Sequence, residues 1–107
     1  MNSSINRKIF NHIALSPQFF SKNNISFMSR SCDGFYLGFI IPRVLGSAAK
    51  RNLFKRRCRA SFVRFKERGL LPSRGLVVKP KHINSTFSQI NDTVSSWVLL
   101  SNKKEVV

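Results

Sequence analysis

Acidic residues are nearly missing from this chain of 107: four Asp and Glu stand against nineteen Lys and Arg, a formal net charge of +15. Such an excess repels itself in the free polypeptide and makes a polyanion the expected partner, either nucleic acid or an anionic membrane surface. Asp33, Glu67, Asp92 and Glu105 are scattered, with no close pair to hold Mg2+ ions. Neither His12 nor His82 has an acid or nucleophile beside it for proton transfer. The sequence therefore offers no catalytic residue and no metal site. Two cysteines, Cys32 and Cys58, allow at most one disulfide and read as reduced thiols of a cytosolic protein. With the two histidines they lack the close ligand spacing of a zinc set. The longest apolar run, residues 35–41, falls far short of the roughly 20 residues of a membrane-spanning helix. Residues 1–20 lack the unbroken apolar stretch of a secretory signal; being basic, Ser-containing and acid-free, they leave an organelle transit peptide as an alternative.

What the chain does have is apolar substance. Ten Phe and 42% apolar residues suffice for a core, and the length fits one domain spanning 1–107. Ile5, Ile9, Phe10 and Ile13 recur at helical spacing, predicting a short amphipathic helix over 5–15 that stops before Pro17. Residues 24–30 alternate as a half-exposed strand does, and Cys32-Asp33-Gly34 signals a turn. Residues 36–42 are apolar at nearly every position, the pattern of a central strand. Ser47 is placed to cap a long helix that runs to Glu67 and ends at Gly69. A third strand, 75–79, is cut by Pro80. A last helix starts near 84–86, with Phe87, Ile90, Val94, Trp97 and Val98 in one stripe, and residues 101–107 read as a frayed tail. Helix, strand, strand, helix, strand, helix is an α/β, two-layer pattern.

The long helix is where charge and pattern meet. From Gly34 to Lys66 there are nine basic residues and no acid. A solvated helix normally mixes signs, because like charges four apart destabilise it, as at Arg51/Lys55 and Lys55/Arg59, and cations in the first turn oppose the helix dipole. On a wheel of about 100° per residue, Phe54, Cys58, Ser61, Phe62 and Phe65 form the core-facing stripe. Arg51, Lys55, Arg59 and Lys66 lie on one flank, followed by Asn52 and Arg56; Lys50, Arg57, Arg64 and Arg68 lie on the other. Arginine suits bidentate phosphate contacts, lysine point-charge contacts, and asparagine either phosphate or base edges.

After Leu37-Gly38, the block Ala48, Arg51-Asn52, Lys55-Arg56, Arg59 and Phe62 stands at the spacings of A-x-x-RN-x-x-KR-x-x-RE-x-F, which in the signature follows an LG-x-x-V-x-K-K strand end. In this the chain resembles the bacterial ribonuclease P protein subunit over most of residues 5–100. The resemblance implies an α+β fold like that of a ribosomal-protein domain: a four-stranded sheet, three helices, and a left-handed strand–helix–strand crossover made by the basic helix. It implies a non-catalytic subunit of a ribonucleoprotein endonuclease, working in the cytoplasm to remove the 5′ leader of precursor tRNA. The catalytic RNA performs the hydrolysis with Mg2+, the protein itself holding no cofactor. No membrane and no small-molecule substrate is implied. Carried over by position, Arg43, Lys50, Arg51, Asn52, Lys55, Arg56 and Arg59 contact the catalytic RNA, and Phe10 and Phe27 line a cleft for the single-stranded leader. Departures from the pattern are Val44 at the second strand-end lysine, Leu53, Ala60 for Glu, and Ala14 where a second helix aromatic is expected. Arg57, Arg64 and Arg74 are basic where the family is often apolar or acidic. Two other readings fit the charge: a general RNA-binding protein of ribosomal type, and a cationic membrane-surface protein. The order of the Arg-Asn, Lys-Arg and Arg positions favours the first-named role over both.

Overall fold

The Phe stripe of the basic helix is where the core forms. In the computed structural model, which describes residues 4–105, the elements run α1 (Arg7–Leu15), β1 (Gln18–Lys22), β2 (Ile25–Ser31), β3 (Tyr36–Phe39), a 3-10 turn (Arg43–Leu45), α2 (Ala48–Glu67), β4 (Arg74–Pro80) and α3 (Phe87–Glu105). The sheet is mixed, in the order β1-β2-β4-β3. β2 pairs antiparallel with β1 and β4, and β3 runs parallel to β4, which makes α2 the crossover element.

The buried residues of α2 are Phe54, Cys58, Ser61, Phe62 and Phe65. They meet Ile90, Val94, Trp97 and Val98 of α3 over the Ile25, Phe27, Leu37, Leu76 and Val78 face of the sheet. Each large side chain buried there contributes about 1.5–3 kcal/mol. This is the expected two-layer body. The short α1 adds a half-layer on the opposite face, where Ile13 packs with Met28 and Val77, flanked by Ile5, Ile9 and Phe10.

Local chemistry sets the helix ends. Ser47 Oγ accepts from Lys50 N at 3.2 Å, and Asn6 Oδ1 caps α1 by accepting from Ile9 N at 2.9 Å. α2 ends in a Schellman pair, Leu70 N to Phe65 O and Gly69 N to Lys66 O, with Gly69 at φ +68°, where a side chain would be strained. Thr86 and Gln89 close a reciprocal capping box at the start of α3.

The structure corrects several expectations. β1 was not among the strands read from periodicity. It is short and joins β2 through Asn23 and Asn24, both at positive φ as a two-residue hairpin turn of type I′ requires. β3 lies at a sheet edge rather than its centre and ends at Phe39. Its apolar residues make contacts on both faces: Leu37 packs into the core under α2 and α3, and Gly38 meets Ile5 of the segment before α1. Pro80 does not cut β4 short but pairs with Ile25 as its last residue. Lys81 N donates to Asn24 O, so the donor Pro80 lacks would point to the other side, where β3 has ended. Residues 101–105 continue α3: Ser101 is buried and Asn102 Nδ2 donates to Leu70 O at 2.9 Å. The rest of the expected frayed tail, 106–107, lies outside the described residues.

Gly75 sets how close α1 comes to the sheet. A Cβ at this position would sit 2.8 Å from Ile13 Cδ1 and 3.3 Å from Ile9 Cγ2. Gly75→Ala is therefore expected to lower stability by about 1–3 kcal/mol through overpacking, read as an earlier urea midpoint at unchanged slope.

Candidate nucleic-acid interface

Burying the Phe stripe forces the charged residues of α2 outward, and tertiary contacts then sort them. On the flank toward β3, Arg51 Nε donates to Gly46 O at 3.2 Å, and the Arg59 guanidinium lies 5.4 Å from the Phe39 ring centroid. Lys55, between them at four-residue spacing, is half-buried. Asn52 and Arg56 are exposed on the crest, and Arg43 and Lys50 are exposed at the entrance to the helix. The seven positions expected to contact RNA thus form one connected surface: the turn before α2, its first turn, and one flank with the crest.

The opposite flank faces α3. Arg57 Nη1 donates to Ser85 O at 3.0 Å, and Arg64 lies over Phe87 at 5.8 Å. Arg74 turns inward and is buried, its Nε donating to Ser29 Oγ at 3.2 Å, its Nη1 to Ser31 Oγ at 3.3 Å and its Nη2 to Gln18 Oε1. These three extra arginines thus each have a role in packing; Arg74 ties β4 to β2 and β1.

Among the described residues a single ion pair is formed, Lys22 to Asp92 at 3.2 Å, and it does not involve α2. Hydrogen bonding from Asn23, helped by Lys22, holds the Asp92 carboxyl below its ordinary value. Asp33 lies in the turn after β2 and Glu67 at the end of α2. The Cys58 thiol is pushed up to about 12 by burial beneath α2, which makes it a core group and not a nucleophile.

A second surface opens on the α1 face. Arg7, Phe10 and Asn11 form one wall of a groove whose floor is Gly38, Ile40 and Val77. Phe10 is half-buried beside Met28 and Val77. Phe27 is not part of this groove. It is only 2% exposed and points to the other face, with Phe20, Phe62 and Trp97 ring centroids 5.9, 6.2 and 5.6 Å away. The two phenylalanines expected to line one cleft are therefore separated by the sheet. The alternation of β2 puts Met28 on the groove side and Phe27 in the core.

Residues 5–100 match the sequence model of the family described as Ribonuclease P. The chain belongs to the ribonuclease P protein family. Solved ribonuclease P proteins share its fold. That of Thermotoga maritima superposes with a TM-score of 0.75 at 22% identity, covering 91% of this chain and 96% of that one. That of Staphylococcus aureus gives 0.74 at 20% identity, covering 94% and 95%. An S. aureus mutant described as defective in mRNA degradation gives 0.77 at 20% identity, covering 92% and 87%. No curated protein matches closely enough in sequence to count as a relative. Family membership makes the chain a ribonuclease P subunit with an RNA partner, in tRNA processing. No helix among the described residues is long and apolar enough to cross a membrane.

Proposed function

We propose that this subunit binds the catalytic RNA of ribonuclease P along α2 and the turn before it, and holds the 5′ leader of precursor tRNA in the groove beside α1. It thereby promotes endonucleolytic removal of the leader in the cytoplasm. The observation that carries this is the acid-free flank and crest of α2: Arg51, Asn52, Lys55, Arg56 and Arg59 face outward, with Arg43 and Lys50 at the helix entrance. An array of this kind neutralises phosphates and releases their counterions. Phosphodiester hydrolysis is assigned to the RNA and the Mg2+ it binds, the polypeptide contributing position and charge. In the groove, Phe10 offers a ring to a leader base, a contact that tolerates sequence variation because every base has a π face.

Reconstitution tests this. The chain alone is expected to leave precursor tRNA intact. Added to the catalytic RNA from the same source, it should raise the cleavage rate at low Mg2+. Tight RNA binding without any effect on cleavage would favour the general RNA-binding role.

A further inference from the structure

We infer that Phe19 is a base-stacking platform at the outer edge of the sheet, which extends the leader groove from α1 across β2 to β1. The inference rests on the groove's taking the leader, and its ligand is the same: single-stranded RNA.

Strand register places the ring. Phe19 pairs with Met28, Met28 with Val77, and Val77 with Gly38, so one row crosses all four strands on the α1 face. Phe10 packs beside the middle of that row. Phe19 closes it at the edge, next to Met28 at roughly 5 Å between side-chain attachment points. Its neighbour Phe20 points the other way and packs on the core. The core therefore makes no use of Phe19, which is 74% exposed on a strand with no further strand beyond it.

The surroundings identify the occupant. The adjacent row on this face is Ser21, Ser26 and Lys79, hydroxyls and a cation. Asp33, Glu67 and Asp92 lie outside both rows. A surface offering a ring, hydroxyls and positive charge without acid fits a nucleic-acid strand. A second copy of this chain would bring another +15 against the same face. Phe19 also supplies a second ring on this face beside Phe10, since Ala14, one turn after Phe10, is exposed and has none.

The test uses the reconstituted ribonucleoprotein with precursor and mature tRNA. Phe19→Ala is expected to weaken precursor binding roughly 5- to 100-fold while mature tRNA binding stays the same. Phe19→Leu should lose as much, because it keeps apolar area but not the π face. Phe19→Trp should restore binding and report it: its indole emission should be quenched by precursor and not by mature tRNA. Full precursor affinity in Phe19→Leu, or equal losses for both tRNAs, would overturn the assignment. So would a dimer of the free chain that Phe19→Ala dissolves without changing precursor affinity. Phe10→Ala separates the two levels. If it loses leader preference and Phe19→Ala does not, the groove stands and the platform falls; if neither variant loses it, both fall.

Discussion

Replacing Arg51, Lys55, Arg56 and Arg59 together by alanine is expected to flatten the salt dependence of RNA binding as well as weaken it. With about five to eight phosphate contacts, the log–log slope of affinity against salt should be roughly −4 to −7, and each lost contact reduces it by about one. The intact chain should then lose affinity on the order of 10³-fold for a fourfold rise in salt, and the variant only about tenfold. Filter binding across a salt series reads both numbers. None of the four belongs to the buried stripe of Phe54, Cys58, Ser61, Phe62 and Phe65: Arg56 is exposed on the crest and Arg51, Lys55 and Arg59 lie on the flank toward β3, so the variant should keep its fold. Removing like charges at four-residue spacing even favours the isolated helix by a few tenths of a kcal/mol per pair. Unchanged slope in a folded variant would move the RNA contact off this helix.

Phe27→Ala should act on the other property, stability. The ring sits between the sheet, Phe62 and Trp97, so truncation leaves a cavity that close-packed neighbours cannot fill. The expected cost is about 3–5 kcal/mol, a large part of the 5–15 kcal/mol typical of a domain. The melting point should fall by at least roughly 12 °C. A variant of near-native stability that discriminated against precursor tRNA alone would return Phe27 to the leader groove.

The opposite fates of Phe27 and the α2 stripe show what periodicity encodes. On α2 the apolar residues occupy one stripe and the charges the rest, so pattern alone orients the helix, and Ser47 and Gly69 mark its ends chemically. The connected basic surface proposed to contact RNA follows from the same pattern. β2 carries no such asymmetry. Ile25 and Phe27 alternate with Ser26 and Met28, and both sets meet helices, so alternation separates two faces without saying which belongs to α1. The carried-over aromatic position consequently fell one residue from the groove. β3 misleads for the same reason: with apolar contacts on both faces, an edge strand looks central. The clue to β1 was present in Asn23-Asn24, a hairpin dipeptide between two short Phe-containing runs, but five residues with one half-buried side chain give little periodicity to read.

The unequal size of the two apolar clusters has a bearing on which element opens first. α2 and α3 share a cluster of fourteen buried residues with the sheet, whereas α1 is held by a cluster of three and their partly covered neighbours. Opening free energies differ from one segment to another within a protein, and an element with so small a share of the interior detaches at a fraction of the global unfolding cost. The wall that carries Phe10 is therefore a compliant jaw set against a stiff anvil. Under the function proposed above, α1 is expected to yield to an entering or leaving strand while the body built on α2 and α3 keeps its packing.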